Sequence, residues 1–185
     1  MVVLLGMAAA GSSTQAQLVR LQIKSVATSA GLKHPQRLSV NGDMAESAYN
    51  RTETVRITVA NLQSVPADYW VEWQFLAKDL ATKKNYVYDH GTSQVLLTGG
   101  SLTNFDVQSK PVAESEVQRF ESDEDDNGNT IVYPAGNREK SGAKPVGYIF
   151  SVKAQGQVVA VEASDRDLKE RYQQELNAHL RAPVP

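Results

Sequence analysis

The chain contains no cysteine, which excludes disulfides, thiolate chemistry, cysteine-ligated zinc and lipid attachment through an N-terminal cysteine. It also lacks an excess of positive charge, because its net charge is −2. Binding to nucleic acid requires a basic field, so we expect no nucleic-acid partner. Its 185 residues suffice for one domain of ordinary size with a substantial core.

The chain also has no apolar run long enough to span a bilayer, which takes about 20 residues in a helix. Residues 1–10 are apolar, and Thr14 and Ala16 place small groups at the −3 and −1 positions of a cleavage site before Gln17. This pattern resembles a secretory signal peptide, although no Lys or Arg precedes the apolar run. It predicts a signal-like segment at residues 1–16 and a chain that is secreted or lies in the periplasm or at the outer-membrane surface.

Sequence motifs of enzymes are missing as well. The three histidines, His34, His90 and His179, have no metal-like spacing, and the chain has no Gly-x-Ser-x-Gly, no phosphate-binding glycine loop and no His-Glu-x-x-His. We therefore predict a protein that is not an enzyme and has no cofactor. A hydrolase that uses a pair of carboxylates is the weaker alternative.

Residues 68–76 carry the strongest structural signal. Tyr69, Val71, Trp73 and Phe75 alternate with Trp70 and two polar residues, which is typical of a strand with one buried, aromatic face. Further short alternating segments follow this strand. Residues 17–164 are therefore predicted to form an all-β, antiparallel β-sandwich of immunoglobulin or fibronectin-III type.

Two stretches lack this alternation and are predicted as loops. Residues 28–47 contain scattered Gly, Pro and polar residues. Residues 110–144 form a connection too long for a simple hairpin, with a short strand at residues 130–133. Long connections in compact domains are often functional, so we expect the second stretch to contribute to a binding surface.

Residues 165–185 are predicted to form a C-terminal amphipathic helix and tail, with Ser164 as the helix cap. An apolar stripe recurs every fourth residue: Leu168, Tyr172, Leu176 and Leu180. The stripe either packs on the sandwich of the same chain or docks on a partner or a second copy. Leu168, Tyr172 and Leu176 are therefore candidate partner-binding residues.

An acidic segment at residues 121–129 contains the sharpest local motif. Asp123, Asp125, Asn127 and Gly128 match the opening of a calcium-binding loop, in which carboxylate and amide oxygens hold the ion and Gly permits the sharp turn. The twelfth position of the loop is Pro134 rather than the required Glu. A structural calcium ion and a solvated acidic loop both remain open.

Aromatic residues offer a second candidate site. Trp70 lies on the face opposite Trp73, and beside Tyr86 or Tyr88 it would form a platform for a sugar ring or a protein partner. If the C-terminal helix covers that face, Trp70 is ordinary packing, and we favour this second interpretation.

The residues 55–61, 71–80, 104–109 and 148–153, together with Ala163 and Ser164, resemble small exported immunoglobulin-like proteins of Verrucomicrobia. These include pilus-associated surface proteins of a mucin-degrading gut bacterium. The resemblance implies a non-catalytic secreted or envelope protein that makes protein–protein contacts in a pilus or surface assembly, and it supplies no site residues. A carbohydrate-binding module with specificity for glycans or mucin is the alternative, and a homo-oligomer is compatible with both.

Overall fold

The computed structural model describes residues 19–36 and 44–181. The predicted signal-like segment at residues 1–16 lies outside the described residues, as does the end of the tail, residues 182–185. Eight strands precede one helix: β1 (Val19–Gln36), β2 (Met44–Asn61), β3 (Ala67–Asp79), β4 (Asn85–Leu97), β5 (Leu102–Gln108), β6 (Val112–Glu124), β7 (Thr130–Ala154), β8 (Gln157–Ala163) and α1 (Arg166–Arg181).

Two antiparallel sheets face each other, three strands against four. One contains β1, β2 and β5, with β2 in the middle. The other has the order β4-β3-β7-β8. This division is the one expected for an immunoglobulin-type sandwich. The predicted fold class, an all-β antiparallel sandwich followed by a C-terminal helix, is confirmed.

The aromatic strand β3 supplies the middle of the core, as the alternation predicted. Tyr69, Val71 and Phe75 are fully buried, and Phe75 meets Phe150 of β7 edge to face with ring centroids 6.1 Å apart. Trp73 is partly buried and packs against the same cluster. Its indole lies over Gly91, where a Cβ atom would overlap the ring. The absent side chain of Gly91 therefore provides the space for Trp73.

One end of the molecule continues as a single layer of four strands, which we call the arm. It consists of residues 25–36, 44–52, 112–124 and 130–142, in the strand order β1-β2-β6-β7. No residue from 115 to 142 is buried. Both predicted loops are therefore wrong where the structure describes them, because most of their residues belong to these long strands. Residues 37–43 of the first loop lie outside the described part of the chain.

The strands of the arm are linked by ion pairs between side chains, whereas the sandwich is held by an apolar core. Arg51 Nε lies 2.6 Å from Glu114 Oε2 at the base, and Arg138 Nη1 lies 2.8 Å from Glu116 Oε1 further out. Strand β7 links arm and sandwich, since it pairs with β6 up to Gly142 and with β3 from Ala143. The arm is thus continuous with the sandwich through an unbroken strand.

The helix α1 begins after β8 and packs on the outer face of the four-stranded sheet. Asp165 caps it, because its Oδ1 accepts a hydrogen bond of 2.8 Å from the backbone N–H of Leu168. The predicted cap, Ser164, instead bonds to β7, where its N–H donates to the carbonyl of Tyr148 at 3.0 Å. No helix in the described residues is long and apolar enough to cross a membrane.

Candidate functional site

Trp70 lies on the outer face of the four-stranded sheet, between Gln94 of β4 and Lys153 of β7. Its side chain is 46% exposed. The helix covers the β7–β8 side of this face, where Ile149 and Ser151 are buried, and it leaves the Trp70 region open. The interpretation that we favoured from the sequence, in which the helix covers Trp70, is therefore wrong.

An open groove of about 460 Å³ lies further along the same face. It runs between the helix and the middle of the sheet. Its polar lining consists of Glu72, Gln74, His90, Thr92 and Ser151, and Tyr172 of α1 lines it from the helix side. Lys153 Nζ binds Glu72 Oε1 at 2.7 Å, so part of the carboxylate is already engaged. The groove offers hydrogen-bonding side chains, one of them a carboxylate, beside an aromatic ring.

Tyr86 and Tyr88 are not on the face of Trp70. Tyr86 is directly opposite the buried Ala77, and directly opposite residues share one face of a sheet. Tyr88 occupies a bulge and packs on Phe75, with ring centroids 6.2 Å apart. The predicted platform of Trp70 with either tyrosine is therefore not formed.

The apolar stripe of the helix contacts the sandwich of its own chain. Leu168 lies over Gly147 of β7, with its Cδ2 atom 3.6 Å from the position that a Cβ on Gly147 would take. Tyr172 lines the groove described above. Leu176 lines a second groove beside Val159 and Val161 of β8. All three side chains are partly buried, so the described chain already provides a packing surface for the stripe.

The acidic motif forms the tip of the β6–β7 hairpin. The N–H of Gly128 donates to the carbonyl of Asp125, and Gly128 has a positive φ of 78°. The Asp125 carboxylate accepts hydrogen bonds from the backbone N–H groups of Asn127 and Asn129 and from the side chain of Asn129. These bonds lower the pKa of Asp125, chiefly through the backbone of Asn129. Turn formation thus accounts for the Asp, Asn and Gly at these positions.

The same geometry bears on the calcium hypothesis. Asp123 lies in β6 opposite Ile131, whereas Asp125 and Asn127 lie in the turn. No group of three or more His, Cys, Asp or Glu side chains in residues 19–36 and 44–181 is arranged to hold a metal ion. The calcium site stays a prediction, and the structure supplies a separate physical reason for the motif.

A buried polar cluster lies where the arm meets the sandwich. Within the described residues, Glu53 Oε2 and Tyr88 Oη are buried side-chain atoms without a hydrogen-bond partner. Burial raises the pKa of Glu53. Burial, together with the charges of Glu53 and Asp89, raises the pKa of Tyr88 to about 12. The two groups interact electrostatically but lie outside hydrogen-bond geometry.

Asp89 completes this cluster. It accepts a hydrogen bond of 2.9 Å from the backbone N–H of Lys110 and lies 3.1 Å from the Lys110 ammonium. Glu53 and Asp89 are both nearly inaccessible, at 9% and 7% exposure, so neither carboxylate reaches a substrate in this conformation. We interpret the cluster as a structural contact that connects the arm to the sandwich.

The arm was not predicted, and its residues carry a free strand edge. Residues 130–142 of β7 pair with β6 on one side only within the described chain. Ile131, Val132 and Tyr133 are each between 41% and 60% exposed. Three consecutive residues of high β-propensity were the sequence signal, although they predicted only a short strand.

No protein-family model matches the chain, and no curated protein matches it. Among solved structures it is similar to the structural-genomics target SoR45, with 11% identity, coverage of 68% of this chain and 86% of that chain, and a TM-score of 0.29. It is also similar to a β-D-glucoside glucohydrolase from Trichoderma reesei, with 12% identity, coverage of 78% of this chain and 18% of that chain, and a TM-score of 0.30. At these TM-scores neither similarity supports an inference about function.

Proposed function

We propose that this protein is a non-catalytic, secreted or envelope-surface protein that makes protein–protein contacts in a surface assembly such as a pilus, and that the arm is its contact surface. The arm carries the proposal because a single layer of strands has no core of its own. Its faces are accessible from residue 115 to residue 142, and one of its edges is free within the described chain. Strand edges and exposed apolar side chains are recurrent sites of protein recognition.

Site-specific photo-crosslinking in cells that produce the protein tests this function. The photo-reactive residue replaces Val132 of the arm and, as a matched control, Leu102 at the start of β5. Both side chains are 60% exposed, so solvent access does not distinguish them. We expect a discrete cross-linked product in the envelope or secreted fraction from Val132 only. Equal labelling from both positions, or none from Val132, would contradict the proposed contact surface.

A carbohydrate-binding module is the second candidate, and the exposed Trp70 on the face of the groove favours it. Aromatic rings and a few polar side chains are the usual lining of ligand sites. A sugar would stack on Trp70, and a longer glycan would continue toward Gln74 and Tyr172. Glycan-array binding that is lost in both Trp70→Ala and Gln74→Ala would support this candidate. If the protein binds no glycan on the array, the contact function is the better explanation.

A further inference from the structure

The free edge of β7 has a defined hydrogen-bonding pattern, which follows from the turn at the tip of the arm. The N–H of Asp125 donates to the carbonyl of Asn129 at 2.9 Å. Hydrogen-bonded and non-hydrogen-bonded pairs alternate in an antiparallel ladder. The pairs of Ile131 with Asp123 and of Tyr133 with Glu121 are therefore hydrogen-bonded across the hairpin.

It follows that the backbone groups of Thr130, Val132 and Pro134 point away from β6, toward the free edge. Pro134 fits this pattern because its missing N–H lies on the side where the hairpin needs no donor. It also ends the usable edge, since an added strand receives no hydrogen bond from it. Among residues 19–36 and 44–181, the part of the edge that is open to an added strand is therefore residues 130–133.

Acidic side chains surround this part of the edge. Residues 120–137 contain five acidic residues and no Lys or Arg: Glu121, Asp123, Glu124, Asp125 and Asp126. Glu121 lies directly opposite Tyr133, and Asp123 lies directly opposite Ile131. A strand that joined the sheet here would pair with β7 and lie two strand spacings, about 10 Å, from β6 and these carboxylates. This separation is close to the Debye length at about 0.1 M salt, so basic side chains on the added strand are attracted and acidic ones are repelled, most strongly at low salt.

We propose that residues 130–133 bind an extended segment of a partner protein, which adds to the arm as a fifth strand and alternates β-branched residues with Lys or Arg. This inference rests on the proposed function, because it specifies how the arm makes its contact. A second copy of the chain is disfavoured as the occupant. Pairing the same edge of two copies would bring two acidic hairpins side by side.

A synthetic peptide tests the mode of binding. The probe is a fluorescein-labelled heptapeptide of sequence Lys-Val-Lys-Val-Lys-Thr-Lys, and its control has Glu in place of each Lys. We expect fluorescence anisotropy at about 50 mM salt to show binding of the Lys peptide at least about tenfold tighter than that of the Glu peptide. The affinity for the Lys peptide falls as the salt concentration rises, because exposed charge pairs are screened.

Two variants separate strand addition from general attraction to an acidic surface. Val132→Pro removes the one edge N–H between Thr130 and Pro134, and we expect a loss of affinity of about tenfold or more. Val132→Thr keeps the N–H and the β-branch and should bind as the unchanged protein does. If Val132→Pro is unfolded by circular dichroism, the triple variant Glu121→Gln, Asp123→Asn, Glu124→Gln replaces it, and it should no longer prefer the Lys peptide.

Three results would overturn the inference: no binding of the Lys peptide, equal binding of the Glu peptide, or full affinity in a folded Val132→Pro protein. Association of the protein with itself that Val132→Pro abolishes would also overturn it in favour of a second copy. None of these results affects the crosslinking from Val132. Loss of strand addition is therefore distinguishable from loss of the contact function.

Discussion

The α-carbon of Gly142 lies against the backbone carbonyl of Ala113, so closely that a Cβ atom at this position would overlap the carbonyl oxygen. Gly142 also has a positive φ of 83°, a conformation that residues with a Cβ rarely adopt. It lies where β7 leaves the arm and enters the sandwich. We expect Gly142→Ala to lower the free energy of unfolding, measured by urea denaturation, by about 2 kcal/mol or more.

Gly136→Ala is the matched control for this prediction. Gly136 has a similar φ of 68°, but a Cβ there meets no atom within 4 Å. Gly136→Ala should lower the free energy of unfolding only because a residue with a Cβ is strained at this φ, by about 1 kcal/mol. The difference between the two losses of unfolding free energy measures the cost of the overlap between a Cβ at residue 142 and the carbonyl of Ala113. Equal losses in both would show that the backbone contact does not restrict residue 142.

The burial of Glu53 leads to a prediction about how the stability of the protein depends on pH. Its folded-state pKa is raised above the ordinary value of 4.5 by burial, so folding favours the protonated form. The corresponding stability is present below the unfolded-state pKa and is lost as the pH rises through the folded-state pKa. One oxygen of the buried carboxyl group has no hydrogen-bond partner, so ionisation of Glu53 as the pH rises is unfavourable in the folded state. We expect Glu53→Gln to raise the free energy of unfolding at neutral pH by about 1 kcal/mol.

Glu116→Gln serves as a comparison, because the stability contributed by Glu116 depends on pH in the opposite direction. The hydrogen bond from Arg138 lowers the folded-state pKa of Glu116, so its contribution is present above the unfolded-state pKa and is lost as the pH falls. Thermal unfolding from about pH 2 to about pH 8, a range that spans the titration of carboxyl groups with lowered and with raised pKa, measures both effects at roughly one-unit steps. A Glu53→Gln protein whose stability falls more steeply with rising pH than that of the unchanged protein would contradict the assignment.

The sequence predicted the sandwich but not the arm, and the physical reason lies in burial. In the sandwich, Tyr69, Val71 and Phe75 alternate with accessible residues because one face of β3 meets the other sheet. In the arm neither face is covered from residue 115 to residue 142, so polar and charged residues are acceptable on both. Hydrophobic alternation is therefore absent from strands that nonetheless pair with their neighbours in regular ladders.

The sequence supplied suitable residue types for the candidate sites, but it did not predict the strand register that decides which of these residues lie on the same face. Trp70, Tyr86 and Tyr88 are the residue types of a ligand platform, but a bulge in β4 and the pairing of Tyr86 with Ala77 decide their faces. The calcium-like motif illustrates the same limit. Asp125, Asn127 and Gly128 suit a metal loop and a tight hairpin turn equally well, and the structure shows the hydrogen bonds of the turn while the calcium site stays a prediction.

Asp125→Ala separates the turn from the calcium site. The variant loses three hydrogen bonds that organise the hairpin tip. We expect its melting temperature to fall by the same amount with and without about 1 mM calcium. Asp126→Ala, at an exposed neighbouring position, should leave the melting temperature unchanged. A calcium-dependent rise in the unchanged protein that disappears in Asp125→Ala would establish the metal site instead.

Trp70 and Tyr86 have nearly equal exposure, at 46% and 44%, and this makes them a matched pair for testing glycan binding. Their register positions differ by seven residues along β3, which corresponds to about 23 Å, and their side chains lie on opposite faces. One sugar chain of ordinary length therefore cannot stack on both. We expect Trp70→Ala to abolish any glycan-array signal and Tyr86→Ala to leave it intact.

Stability measurements decide whether that loss reflects binding or unfolding. Because Trp70 is half-exposed, Trp70→Ala should lower the free energy of unfolding by about 1 kcal/mol or less, whereas Phe75→Ala at the centre of the core should cost about 3–5 kcal/mol. A folded Trp70→Ala protein without glycan binding would place the sugar on the outer face. If Tyr86→Ala reduces binding as strongly while remaining folded, the two rings act together, and the separation of their faces is wrong.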